Sequence, residues 1–175
     1  LEMLDYNALK ISADTAMCDP LDPKSTGYDL FKAAQVVKNY SVGLPSVEEI
    51  GFYYPSKDCV LMSGYRPSQE LFFSNVGAEE EQVQQSLMAF LNELTQMDVF
   101  FVKNTSTYGR FLIAKPVYLK SWTAFQGVVI YVLDADNLLR TFQANIPSGS
   151  NLAIVNKEGD WLVHNASFPV SACEG

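Results

Sequence analysis

The chain has 175 residues, of which 48% are apolar and 13% aromatic, and its formal charge is −8. That composition supports one well-filled core and rules out a disordered chain. The acidic balance excludes nucleic-acid and anionic-membrane surfaces as partners, since both call for clustered Lys and Arg.

Leu1, Leu4, Ala8 and Ile11 recur at helical spacing, which predicts an amphipathic N-terminal helix. Its stripe would face either the domain's own sheet or a second helix, including that of another protomer. "CDPLDPKSTG" ends the helix, because prolines and glycine are poorly tolerated in a helix interior. A second helix is predicted from Thr26, an N-cap residue followed by Asp29. It would bury Leu30, Ala34 and Val37, with Phe31 beside them, and stop at Gly43 and Pro45. "SVEEIGFYYPSKDCVLMSG" then reads as a β-hairpin turning at "PSKD".

"GYRPSQELFFSNVG" reads as irregular, too polar and broken for a regular element. "AEEEQVQQSLMAFLNELTQM" predicts a strong helix with Val83, Leu87, Phe90, Leu91 and Leu94 on one face. Three strands follow, "DVFFVKN", "GRFLIAKPVYLK" and "FQGVVIYVLD". Asp134 sits where the last strand gives way to a short helix carrying Leu138, Leu139 and Phe142, and is read as its N-cap. A final hairpin, "NLAIVNKEGDWLVHN", turns at Gly159. Strand runs with short turns and helices set apart indicate an α+β fold on an antiparallel sheet.

Catalytic signatures are missing from this sequence. His164 is the single histidine, so a His-rich zinc site is impossible and a catalytic triad would have to use that one residue, which reads as a strand-face histidine. There is no GxSxG elbow, phosphate-binding glycine loop or dinucleotide fingerprint. The consecutive pair Glu48 and Glu49, and the run Glu79 to Glu81, read as solvated charge that does not converge. No enzyme activity and no cofactor is expected. Cys18, Cys59 and Cys173 allow at most one internal disulfide, whose pairing stays open, and the sequons at Asn39, Asn104 and Asn165 read as chance matches. No apolar run reaches the ~20 residues of a membrane helix. The abrupt first and last residues suggest a piece of a longer protein.

The helix leading into "IGFYYPSKDCVLMSG", the "FLIAKPVY" strand with its Lys-Pro pair, and "GVVIYVLDADNLLRTF" together resemble the membrane-distal half of a double Cache domain, a PAS-like sensor module of bacterial receptors. "NLAIVNKEGDWLVHNASF" is similar to the first hairpin of the membrane-proximal half. The resemblance covers nearly the whole chain and rests on order and pattern. It implies a PAS-like sheet of about five strands flanked by a long N-terminal helix and further helices. Residues 1–146 would form the distal sensor domain and 147–175 the start of a second, incomplete half.

The resemblance further implies a location on the extracytoplasmic face of the cell membrane, in a receptor with flanking spans. The layout is similar to the sensor regions of Gram-positive histidine kinases and membrane-bound AraC-type regulators, and chemoreceptors and diguanylate cyclases carry similar modules, so the output domain stays open. A small ligand would lie against the sheet, under the irregular loop and the long helix. Candidate anchors are Tyr65 and Arg66 in the loop, Arg110 and Tyr118 on the following strand, and Trp122 at its end. Arginine forks onto carboxylates or phosphates, and aromatic rings stack on apolar or sugar-like surface. Each of these residues has an ordinary alternative as a solvated charge or a packing side chain. Amino-acid-binding members carry a Trp-Tyr pair after the arginine, and "SGYRPSQELFF" has none, so amino-acid specificity is not carried over. The expected partners are a small molecule of unidentified class and a second protomer through the N-terminal helix. The alternative reading is a PAS-like interaction or structural domain without a ligand, and a more distant one is a hydrolase using His164.

Overall fold

A central strand covered on both faces must be apolar throughout, and Gly127–Asp134 (β5) is that strand. In this computed structural model it lies third in a five-stranded sheet of order β2-β1-β5-β4-β3, formed with Glu49–Tyr54 (β1), Cys59–Met62 (β2), Asp98–Val102 (β3) and Arg110–Val117 (β4). All of its ladders are antiparallel. The structure describes residues 2–44, 46–63, 68–103, 109–119, 127–147, 150, 152–156 and 161–164. The predicted α+β class, five-stranded sheet and long flanking N-terminal helix are all present.

Glu2–Ala13 (α1) and Gly27–Ser41 (α2) cover one face. Leu4, Ala8 and Ile11 of α1 and Ala33 and Val37 of α2 pack there on Ile50, Phe52, Tyr54, Leu61, Val129 and Tyr131. The apolar stripe of α1 therefore meets the domain's own sheet, while Met3, Tyr6 and Leu9 form its exposed side. Polar tethers reinforce the contact. The Tyr131 hydroxyl donates to the Leu4 carbonyl (2.8 Å), the Tyr54 hydroxyl donates to the Met17 carbonyl (2.8 Å), and Lys115 is ion-paired with Asp5. Burial pushes the hydroxyls of Tyr54 and Tyr131 up, so both stay protonated donors. In α2 the Asp29 carboxylate accepts from the Thr26 amide (2.8 Å) and hydroxyl (3.0 Å), which is the predicted start. Phe31, predicted beside the buried face, is 54% exposed and stacks on Tyr28 instead.

Gln69–Val76 (α3) and Glu81–Glu93 (α4) cover the other face. There Phe72, Phe73, Val76, Leu87 and Leu91 meet Tyr53, Val60, Met62, Leu112, Ala114, Val128, Ile130 and Val132. Each fully buried side chain of this size contributes about 1.5–3 kcal/mol. The helix α3 corrects the irregular segment expected around 64–77. Ser68 caps it by accepting from the Leu71 amide (3.2 Å), and Gly77 closes it in the left-handed conformation (φ 77°).

Two positions show why particular residues are needed. A Cβ on Gly127 would lie 2.3 Å from two ring atoms of Phe52, so only glycine lets β5 approach β1 there. Pro116 lacks an amide proton, yet sits in a strand between two others. It is accommodated because β3 pairs with β4 only from Arg110 to Ala114, leaving one side of Pro116 without a ladder to break.

Asp134 ends β5 and caps Ala135–Gln143 (α5), its carboxylate accepting from the Asn137 amide at 2.8 Å. Beyond it Ala153–Val155 (β6) and Trp161–His164 (β7) form a separate two-stranded sheet. Its Val163 joins the buried cluster beneath α5. The Gly159 turn lies outside the described residues. Among the described residues no helix is long and apolar enough to cross a membrane.

Candidate functional site

Alternation along β1, β4 and β5 directs Glu49, Arg110 and Val132 to the α3/α4 face, at the end of the sheet where β4 begins. There the apolar filling gives way to a cavity of about 370 Å³ lined by Glu48, Glu49, Ser74, Asn75, Arg110 and Val132. Arg110 Nε stands 3.4 Å from Glu48 Oε2 in an exposed ion pair. Glu49 accepts from the Asn75 side-chain amide (3.3 Å) and the Ser63 hydroxyl (3.5 Å). Burial is the main cause that raises the Glu49 pKa, opposed by these two donors and by Arg110.

Sequence reasoning placed Glu48 and Glu49 in solvent as consecutive charges pointing apart. Glu48 is exposed, as expected, but Glu49 is partly buried, and the two line one cavity. Glu48 precedes the strand, with its amide bonded to the Val132 carbonyl (2.8 Å), so the pleat that separates neighbours begins only at Glu49. No local signal in the sequence distinguishes this pair from an exposed one. The cross-strand partner Val132 and the Asn75 donor come from segments 83 and 26 residues away.

Of the five predicted anchors, the structure describes two. Arg110 lines the cavity. Tyr118 lies just past the far end of β4, 63% exposed, eight residues and so roughly 26 Å of strand from Arg110. The two do not meet in one small site. Tyr65, Arg66 and Trp122 lie outside the described residues, although Ser63, a Glu49 partner, immediately precedes the segment that carries Tyr65 and Arg66.

Two other concavities flank β3, the edge strand. One of about 460 Å³ runs between α4 and β3, lined by Val83, Ser86, Phe100, Phe101, Glu80 and Lys103, among others. The other, of about 850 Å³, is mainly apolar and lies between the β3 edge, α5 and the β6–β7 hairpin. His164 ends β7, opposite Ala153. Among the described residues no group of three or more His, Cys, Asp or Glu side chains is placed to hold a metal ion. Cys18 and Cys59 are free thiols, and Cys173 lies outside the described residues.

The sheet order and the helices on both faces define a PAS-like α+β fold. Solved structures with this fold include the sensory domain of the Campylobacter jejuni chemoreceptor Tlp3 with isoleucine bound. It superposes with a TM-score of 0.55 at 11% identity, over 91% of this chain and 60% of that one. The ligand-binding domain of the same chemoreceptor with L-norvaline gives 0.57 at 10% identity, over 96% and 64%. Its complex with L-valine gives 0.57 at 12%, over 95% and 66%. At such identities the likeness establishes the fold. The chain spans 60–66% of the length of these domains. No protein-family model matches the sequence, and no curated protein is similar to it.

Proposed function

We propose that this chain is the extracytoplasmic ligand-sensing domain of a bacterial transmembrane signalling protein. The observation that supports this most is the likeness of nearly the whole chain, helices included, to sensory domains that hold small molecules. In this reading residues 1–146 form the membrane-distal unit and 147–175 begin the membrane-proximal one. The parent carries a histidine kinase or a transcriptional regulator as its output. The role is binding rather than catalysis, and the cavity at Glu49 and Arg110 is the candidate ligand site.

The signal would pass through α1, which Tyr131 and Lys115 tie to the sheet. A ligand can shift that contact only by binding one arrangement more tightly than another. A thermal-shift screen of the chain against amines, amino acids, organic acids and sugars tests the reading. A ligand at 100 times its dissociation constant should add about 2.7 kcal/mol of stability. Failure of a broad library to shift the transition would count against sensing. It would favour the second reading, a PAS-like interaction domain, which the 850 Å³ apolar groove with its exposed Val99, Phe142 and Val155 supports.

A further inference from the structure

We propose that the cavity between Glu49, Arg110 and α3 takes a small cationic amine, whose ammonium group donates to the Glu49 carboxylate. This rests on the sensing reading and names the ligand class of its site.

The argument is one of charge. Three charged side chains line the cavity, and Arg110 has Glu48 as its near partner, at 3.4 Å. Among the described residues one negative charge remains in excess, on Glu49. That carboxylate is partly buried, and its hydrogen bonds come from neutral donors at 3.3 and 3.5 Å, the long end of the range for such bonds. An ionised carboxylate offers about four lone-pair positions, so two long bonds leave room for a stronger donor. An ammonium would supply a charge-assisted bond and the missing counter-charge together. The raised pKa of Glu49 agrees with a carboxylate that lacks full compensation.

The lining also argues about the rest of the ligand. Among the described residues Val132 is the only apolar side chain around the cavity, beside Ser74 and Asn75. The volume, about 370 Å³, lies at the low end for small-molecule sites. A short, polar amine fits better than one with a bulky apolar tail. A zwitterion fits less well, because its carboxylate would approach two glutamates and an arginine already engaged by one of them.

Calorimetric titration of the chain at neutral pH with ethanolamine, 1,4-diaminobutane, L-valine and acetate tests this, using wild type, Glu49→Gln and Glu48→Gln. At least one amine should bind wild type more tightly than L-valine or acetate does, and Glu49→Gln should weaken it about tenfold or more, as loss of a charged hydrogen bond does. In Glu48→Gln the released Arg110 and Glu49 leave a neutral cavity, so L-valine should gain on the amine. Should Glu49→Gln fail to fold by circular dichroism, Glu49→Asp keeps the charge, and it should keep the preference for amines at lower affinity. Preference of wild type for L-valine or acetate would overturn the inference. So would amine affinity unchanged by Glu49→Gln. Both outcomes leave the sensing reading standing, because a small molecule still binds. If none of the four probes binds but another small molecule in the wider screen does, this inference alone falls. If nothing binds in either experiment, both fall.

Discussion

The Tyr131 hydroxyl, at the middle of the central strand, donates to the main-chain carbonyl of Leu4, 127 residues away on α1. Asn7 Oδ1 lies 3.1 Å from the same hydroxyl, and the Asn7 amide donates onward to the Tyr40 carbonyl of α2 at 3.0 Å. A motion of β5 is thus felt by both helices on that face. Tyr131→Phe should cost about 1 kcal/mol, the net worth of one hydrogen bond, and should speed amide hydrogen exchange in α1 more than in α4. Equal exchange in the two helices would remove this tether from any account of signalling.

Glu49 should make stability depend on pH in a defined direction. Its folded pKa lies above the ordinary glutamate value of 4.5, mainly through burial, so the folded state holds the proton more readily than the unfolded chain. Stability from this group is therefore complete below 4.5 and is lost as pH rises through the folded pKa. Glu48 and Arg110 line the same cavity and face it. Glu49→Gln, which cannot ionise, should melt higher than wild type at pH 7, and the gap should close below pH 4.5. Chemical denaturation at several pH values measures it, and a gap that widens toward acid would refute the sign.

Two glycines should respond oppositely to alanine. At Gly127 a Cβ would collide with the Phe52 ring, so Gly127→Ala should cost about 1–3 kcal/mol or more, the usual cost of overpacking. At Gly27, the first residue of α2, a Cβ meets nothing within 4 Å, and Gly27→Ala should gain about 0.4–1 kcal/mol. Denaturation midpoints of the two variants, measured side by side, decide the matter.

The Asp134 carboxylate offers a test of role. As a cap it can be replaced by asparagine almost without loss, whereas Asp134→Ala should cost about 1 kcal/mol. Ligand affinity should be unchanged in Asp134→Asn. A large loss of ligand binding with intact stability would mean that its charge serves the site.

Periodicity made the long helices and the three consecutive strands legible, because each buries a face whose spacing is written locally. Asp134 was legible for the same reason, standing between an apolar run and a helical stripe. The helix α3 was not. Its eight residues hold only four apolar side chains, three of them consecutive, so a period could not emerge, although Ser68 and Gly77 mark its ends. The cavity was half legible. An arginine at the head of a strand drew attention as a candidate anchor, but the two glutamates beside it looked like solvated charge. Their convergence depends on the exact residue at which β1 begins and on a pairing partner far along the chain, neither of which a short stretch of sequence encodes. The crowding of Phe52 against Gly127 belongs to the same class of nonlocal facts.

No residue intervenes between the end of β5 at Asp134 and the start of α5 at Ala135, and the Ala135 amide donates to the Gly109 carbonyl at the entrance to β4 (3.1 Å). A hinge needs slack, and this joint has none. A rotation of the central strand meets α5 with no connecting loop between, and α5 in turn packs on β7 of the hairpin. The sheet and the C-terminal elements are geared together without backlash.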